Sequence, residues 1–136
     1  MPTMRVDFTG TWKANLESSK IPGPAPKELI VKIKHSESDL HETMLVRRAD
    51  GSQSSVVFRC NTNGDEEFCF LNDRQVRGKA HWEGSELIIE TWIPMGNLEA
   101  HFRDCWSISS DRNTVRMEHR DDDLAGQLTV LERERD

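Results

Sequence analysis

No stretch of this chain stays apolar for long. A membrane-spanning helix needs ~18 or more consecutive apolar residues, and nothing here approaches that. The opening, MPTMRVDFTG, lacks the apolar run at the centre of a secretory signal, so a cytoplasmic location is expected. Cysteine is scarce. Cys60, Cys69 and Cys105 are an odd number with no Cys-x-x-Cys spacing, which argues against a disulfide framework or a zinc knuckle and for reduced thiols. The five histidines show neither His-x-His nor His-Glu-x-x-His spacing, so no metal is expected. No glycine-rich phosphate loop occurs, and RDDDLAG (120–126) lacks the ligand spacing of a calcium loop. A basic patch is missing as well. The arginines are scattered among acids and the net charge is −6, which excludes an electrostatic footprint for nucleic acid. No cofactor is expected.

What is present is alternation and punctuation. Hydrophobic residues are 35% of the chain and charged ones 31%, a polar balance suited to elements with one face in water. Turn signals recur at even intervals: IPGPAP (21–26), HSESD (35–39), ADGS (49–52), NTNGDE (61–66), LNDR (71–74), WEGSE (82–86), PMGN (94–97), SSDRN (109–113) and RDDDLAG (120–126). Asp50-Gly51 and Asn63-Gly64 are hairpin signals, because these residues tolerate positive φ. Between the turns, apolar and polar residues alternate. In KELIVKIKHS, Leu29, Val31, Ile33 and His35 share one face; in TVRMEHR, Val115, Met117 and His119 do. That is the period of half-buried antiparallel strands. No long segment shows a helical period, and at most one helical turn fits residues 16–20.

Nine turns imply ten strands joined by sequential hairpins. Closing such a meander removes its exposed edges. The expected fold is therefore all-β, a closed antiparallel up-and-down barrel of about ten strands, with residues 1–136 as a single domain. Eight strands already hold about one small ligand, so ten leave internal room. The proline-rich stretch 21–26 reads as a stiff connection between the first two strands, over one mouth of the barrel.

The segment FTGTWKANLESSK resembles the N-terminal Gly-x-Trp of the lipocalin and fatty-acid-binding (calycin) superfamily, and in particular small bacterial lipocalin-like proteins. The resemblance implies that Gly10 and Trp12 mark the closed end of the barrel, with a basic residue of the last strand, Arg133 or Arg135, packed across the indole. It stops short of the fatty-acid-binding pattern in two respects. The connection ESSKIPGPAPKE is too short for a pair of helices, and the chain has no tyrosine for the paired Arg/Tyr carboxylate clamp. The further glycines of heme-binding barrels are missing too.

If each apolar face points inward, Met44, Phe58, Phe70, Trp82, Phe102, Trp106 and Met117 line a ligand cavity, with His35 among the polar groups brought in. Leu128 and Val130 fall on the same side. A mostly apolar cavity with a few polar groups suits a small molecule. Counting out from the turn at 109–113 brings Asp104 beside His119, a pair suited to proton transfer. Glu42 and His35 flank the second hairpin, where solvation is expected. Trp92 and Ile88 face outward and offer a homodimer patch.

Three functions follow. The first is binding of a small, largely hydrophobic molecule in the cavity. The second is a cofactor-independent isomerase or cyclase using Asp104, His119 and Glu42. The third is an interaction module built on Trp92 and Ile88 over a filled core.

Overall fold

A computed structural model describes residues 6–21, 23–121 and 126–134. Ten strands follow in chain order: β1 (Gly10–Ala14), β2 (Glu28–Ser36), β3 (Asp39–Arg47), β4 (Gln53–Asn61), β5 (Glu66–Leu71), β6 (Arg74–Glu83), β7 (Glu86–Met95), β8 (Leu98–Ile108), β9 (Thr114–Asp121) and β10 (Gly126–Arg133). Each pairs antiparallel with its neighbours in sequence, and β1 pairs with β10 to close the barrel. The fold is all-β, and among the described residues there is no helix. In particular, none is long and apolar enough to cross a membrane. Residues 16–18 form a turn.

The β1–β10 closure explains the Gly-x-Trp. Trp12 lies opposite Arg133 in the register and is 0% exposed. The Arg133 guanidinium lies 4.3 Å over the indole ring. It also donates to the carbonyls of Arg112 (3.0 Å) and Thr9 (3.2 Å). A Cβ on Gly10 would stand 2.6 Å from Arg133 Nη1, and the glycine holds φ at +154°, so a side chain here would displace the arginine. The indole Nε1–H donates to the Phe8 carbonyl at 3.0 Å. Phe8 is fully buried and stacks parallel to Trp82 (6.0 Å) and edge-on to Trp106 (5.6 Å). This aromatic plug fills one end of the barrel. Arg133→Ala removes a cation–π contact and two charge-assisted hydrogen bonds, so it is expected to lower the unfolding free energy by about 2 kcal/mol. Arg133→Lys should restore only part of that loss, since an ammonium cannot keep the planar stack and the fork together. Urea unfolding of the two variants checks both statements.

Two strands run in the opposite phase to the sequence reading. In β5, Cys69 and Leu71 point inward, while Phe68 is 63% exposed and Phe70 lies outside under the Arg59 guanidinium, 5.0 Å from its ring. The phase is pinned at both ends. Asn72, at φ +57°, donates its N–H to Val57 O and accepts from Val57 N–H through its side chain. Gly78 on the neighbouring strand leaves the space Cys69 occupies, which any Cβ there would invade. In β10, Gln127, Thr129 and Leu131 share the inward face of Arg133, so Leu128 and Val130 face outward. The β1–β2 connection runs along their strand. Lys20 bridges to Leu128, and Ser19 Oγ accepts from Val130 N–H.

The outward patch also differs. Ile88 is 1% exposed although it points out, and Trp92 is sandwiched between His101 (4.9 Å) and Arg77 (4.5 Å). Ile88 therefore contributes no exposed surface, and Trp92 is half-buried between two polar neighbours.

Candidate functional site

Beyond the plug, the barrel encloses a cavity of about 370 Å³. Its apolar wall comes from Met44 on β3, Val56 and Phe58 on β4, Leu71 and Val76 on β5 and β6, and Ile89 and Ile93 on β7. Phe102 and Trp106 on β8 and Met117 on β9 complete it. Polar groups enter from Glu42, Thr91, Asp104, His119, Gln127 and Thr129. Met44 and Gln127 also line a second apolar recess, of about 510 Å³, under Ile21, Pro24, Ala25 and Pro26. The proline-rich connection thus lies over the unplugged mouth.

Of the residues singled out from the sequence, Glu42, Met44, Phe58, Phe102, Asp104, Trp106, Met117 and His119 meet in this cavity. Three do not. Phe70 is outside for the reason given above. His35 and Trp82 belong to the plug, their rings stacked at 5.8 Å and both packed on Phe8. His35 Nδ1 accepts from Phe8 N–H, and its Nε2 lies 3.4 Å from the Glu37 carboxylate. Leu71, Gln127 and Thr129 were missed. Alternation counted back from Arg133, once that residue is set over Trp12, places Thr129 and Gln127 on the cavity face.

Two polar features dominate the cavity. The first is the Asp104–His119 pair. The β8–β9 register sets the two residues directly opposite, and His119 Nδ1 lies 2.6 Å from Asp104 Oδ1. The imidazole stacks on Phe102 at 5.1 Å. The hydrogen bond to Asp104 holds the His119 pKa above its ordinary value, against the opposing effect of burial. An NMR titration of His119 should therefore give a value above that of an ordinary histidine, and Asp104→Asn should bring it down.

The second feature is Glu42. It is 9% exposed, and no hydrogen bond or ion pair reaches its carboxyl among the described residues. Burial, with a smaller contribution from the Asp104 carboxylate, pushes its pKa up to about 8. The expectation of solvation fails because the β2–β3 turn lies at the plugged end. Phe8, Trp12 and Trp82 occupy the space where water would otherwise enter. Below Glu42 on β4, Cys60 is held protonated by a hydrogen bond with Cys69 and by burial, which leaves it a poor nucleophile.

Chemically, the site is an apolar chamber with one self-satisfied acid–imidazole pair and one carboxyl facing open cavity space. At neutral pH that carboxyl is protonated, so it can donate a hydrogen bond or give up its proton. Among the described residues, no group of three or more His, Cys, Asp and Glu side chains is placed to hold a metal ion. No protein-family model matches this chain, and a search of curated proteins finds no significant match. The closed ten-strand antiparallel barrel is compatible with a calycin-like fold.

Proposed function

We propose that this barrel holds a small, largely hydrophobic molecule in its cavity, in the manner of lipocalin-like binding proteins, with Glu42 meeting the polar end of the ligand. The observation that carries this reading is the Glu42 carboxyl, which opens on an apolar chamber of about 370 Å³ with no hydrogen-bond partner from the protein among the described residues. A ligand whose polar end pairs with that carboxyl inside the apolar chamber gains a hydrogen bond of low-dielectric strength. Phe58, Phe102 and Trp106 supply the apolar contact. The unpaired thiols suit a reducing, cytoplasmic setting.

Native mass spectrometry of the protein purified from its own host tests the reading. A non-covalent adduct lost on denaturation is expected. Ile93→Trp, which fills the chamber at its side wall, should abolish that adduct while leaving the circular dichroism spectrum unchanged. An adduct equally abundant on the filled variant overturns the reading.

A second reading rests on the value of about 8 for Glu42, close to working pH. A general acid or base is most effective there, and the same chamber excludes water from a reactive substrate. An isomerase or cyclase would move one proton through Glu42, with the Asp104–His119 pair returning it. Glu42→Gln, Asp104→Asn and His119→Ala should then each lower product formation in the host. If product is unchanged in all three, the catalytic reading fails.

A further inference from the structure

The charge inventory of the cavity selects among apolar ligands. Its titratable wall groups are two carboxylates, Glu42 and Asp104, and one imidazole, His119. No lysine or arginine lines it among the described residues. Aromatic side chains line it from two strands, Phe58 on β4 and Phe102 and Trp106 on β8. We propose that the ligand is a lipophilic cation, a small apolar molecule bearing one ammonium group whose charge is met by the Glu42 carboxylate and by aromatic ring faces. This deepens the binding reading above and rests on it.

The groups facing Glu42 fix the sign of the effect. Across the cavity stand Asp104 and His119; on β4 stands Cys60; on β2 the facing side chain is Ile33, and His35 beyond it is turned to Phe8 and Glu37. A protonated His119 neutralises Asp104, and a protonated Glu42 leaves the empty chamber with no net charge. An anionic ligand entering it would face two acids and a single cation that is already paired. Such a ligand is disfavoured, which agrees with the missing Arg/Tyr clamp. A cation stabilises the ionised form of Glu42 and is attracted by ring quadrupoles. The balance is simple: a neutral carboxyl plus a cation gives a carboxylate–cation pair and one proton released to water.

Three probes of one shape separate the outcomes. Benzyltrimethylammonium carries a permanent charge, neopentylbenzene is its neutral carbon counterpart, and 3-phenylpropionate is an anion of similar size. Calorimetry in buffers of different ionisation enthalpy should show that the ammonium binds with release of close to one proton at pH 6.5 and almost none at pH 9. Its affinity should rise about tenfold per pH unit up to pH 8 and then level off. Glu42→Gln should weaken the ammonium at least tenfold at pH 8, remove the pH dependence, and leave the neutral probe unaffected. Equal or tighter binding of the neutral probe or of the anion at pH 8 overturns the cation assignment and leaves the binding reading standing. Failure of all three probes to bind at millimolar concentration overturns both.

Discussion

Trp12→Ala is expected to lower the unfolding free energy by about 3–5 kcal/mol, the usual range for deleting a buried tryptophan. Domains of this size are stable by about 5–15 kcal/mol, so the variant should sit near the edge of folding at 37 °C. Three losses combine. A fully buried indole leaves a void beneath Arg133, the Phe8 carbonyl loses its donor, and the guanidinium loses the ring it lies on. Trp12→Phe keeps an aromatic ring but loses the indole donor and part of the buried volume, for which about 1–3 kcal/mol is expected. Urea titrations of both variants check the order. The plug and the cavity should also separate in binding. Trp12 does not line the cavity whereas Trp106 does, so Trp12→Phe should keep any ligand-induced fluorescence change and Trp106→Phe should lose it. A Trp12→Ala barrel within 1 kcal/mol of the parent would show that the closed end does not depend on this residue.

The sequence made the barrel legible because turns and alternation are local signals. Eight of the nine connections contain glycine, asparagine, aspartate or proline, and the ninth, Glu37-Ser38, is a two-residue polar turn. Phase was harder, because the more apolar face is not always the inner one. EEFCFL offers two phenylalanines on one face and a cysteine on the other, and hydrophobicity alone selects the phenylalanines. The structure decides otherwise through Asn72 and Gly78, one a backbone staple and the other an absent side chain. Neither is visible in the strand they control. In β10 the information was present in a different form. An arginine set over Trp12 fixes Leu131, Thr129 and Gln127 on the same face, which is incompatible with Leu128 and Val130 pointing inward. A single long-range contact thus outweighs four residues of local pattern. The Asp104–His119 alignment followed from counting out from one turn, since an antiparallel hairpin register is set by its loop. Glu42 could not be placed this way. Closeness to a turn means water only at an open barrel end, and which end is plugged depends on Phe8 and Trp12 meeting Trp82 from a distant part of the chain.

Glu42→Gln is expected to stabilise the barrel at pH 8 by several kcal/mol while leaving it nearly unchanged in acid. Folding raises the Glu42 pKa from its ordinary 4.5 to about 8. Below 4.5 the carboxyl is protonated in both the folded and the unfolded chain, and it imposes no penalty. Above 4.5 the unfolded chain releases the proton and the folded barrel retains it. The unfolding free energy then falls by about 1.4 kcal/mol per pH unit, until the folded state also ionises near pH 8 and the loss levels off. Glutamine has the same shape and no titration, so this slope should vanish from the difference between variant and parent. Other shifted groups, His119 among them, titrate in both proteins and cancel to first order. Urea unfolding at pH 5, 6.5 and 8 provides the measurement, and stability curves that stay parallel across that range would exclude a raised Glu42. The direction of the effect bears on function. A carboxyl that destabilises its own fold at working pH, where a neutral amide of equal shape would not, is the pattern of a residue kept for what it meets in the cavity. The variant should therefore gain stability and lose the ammonium probe together, two opposite changes from one substitution that a purely structural glutamate would not produce.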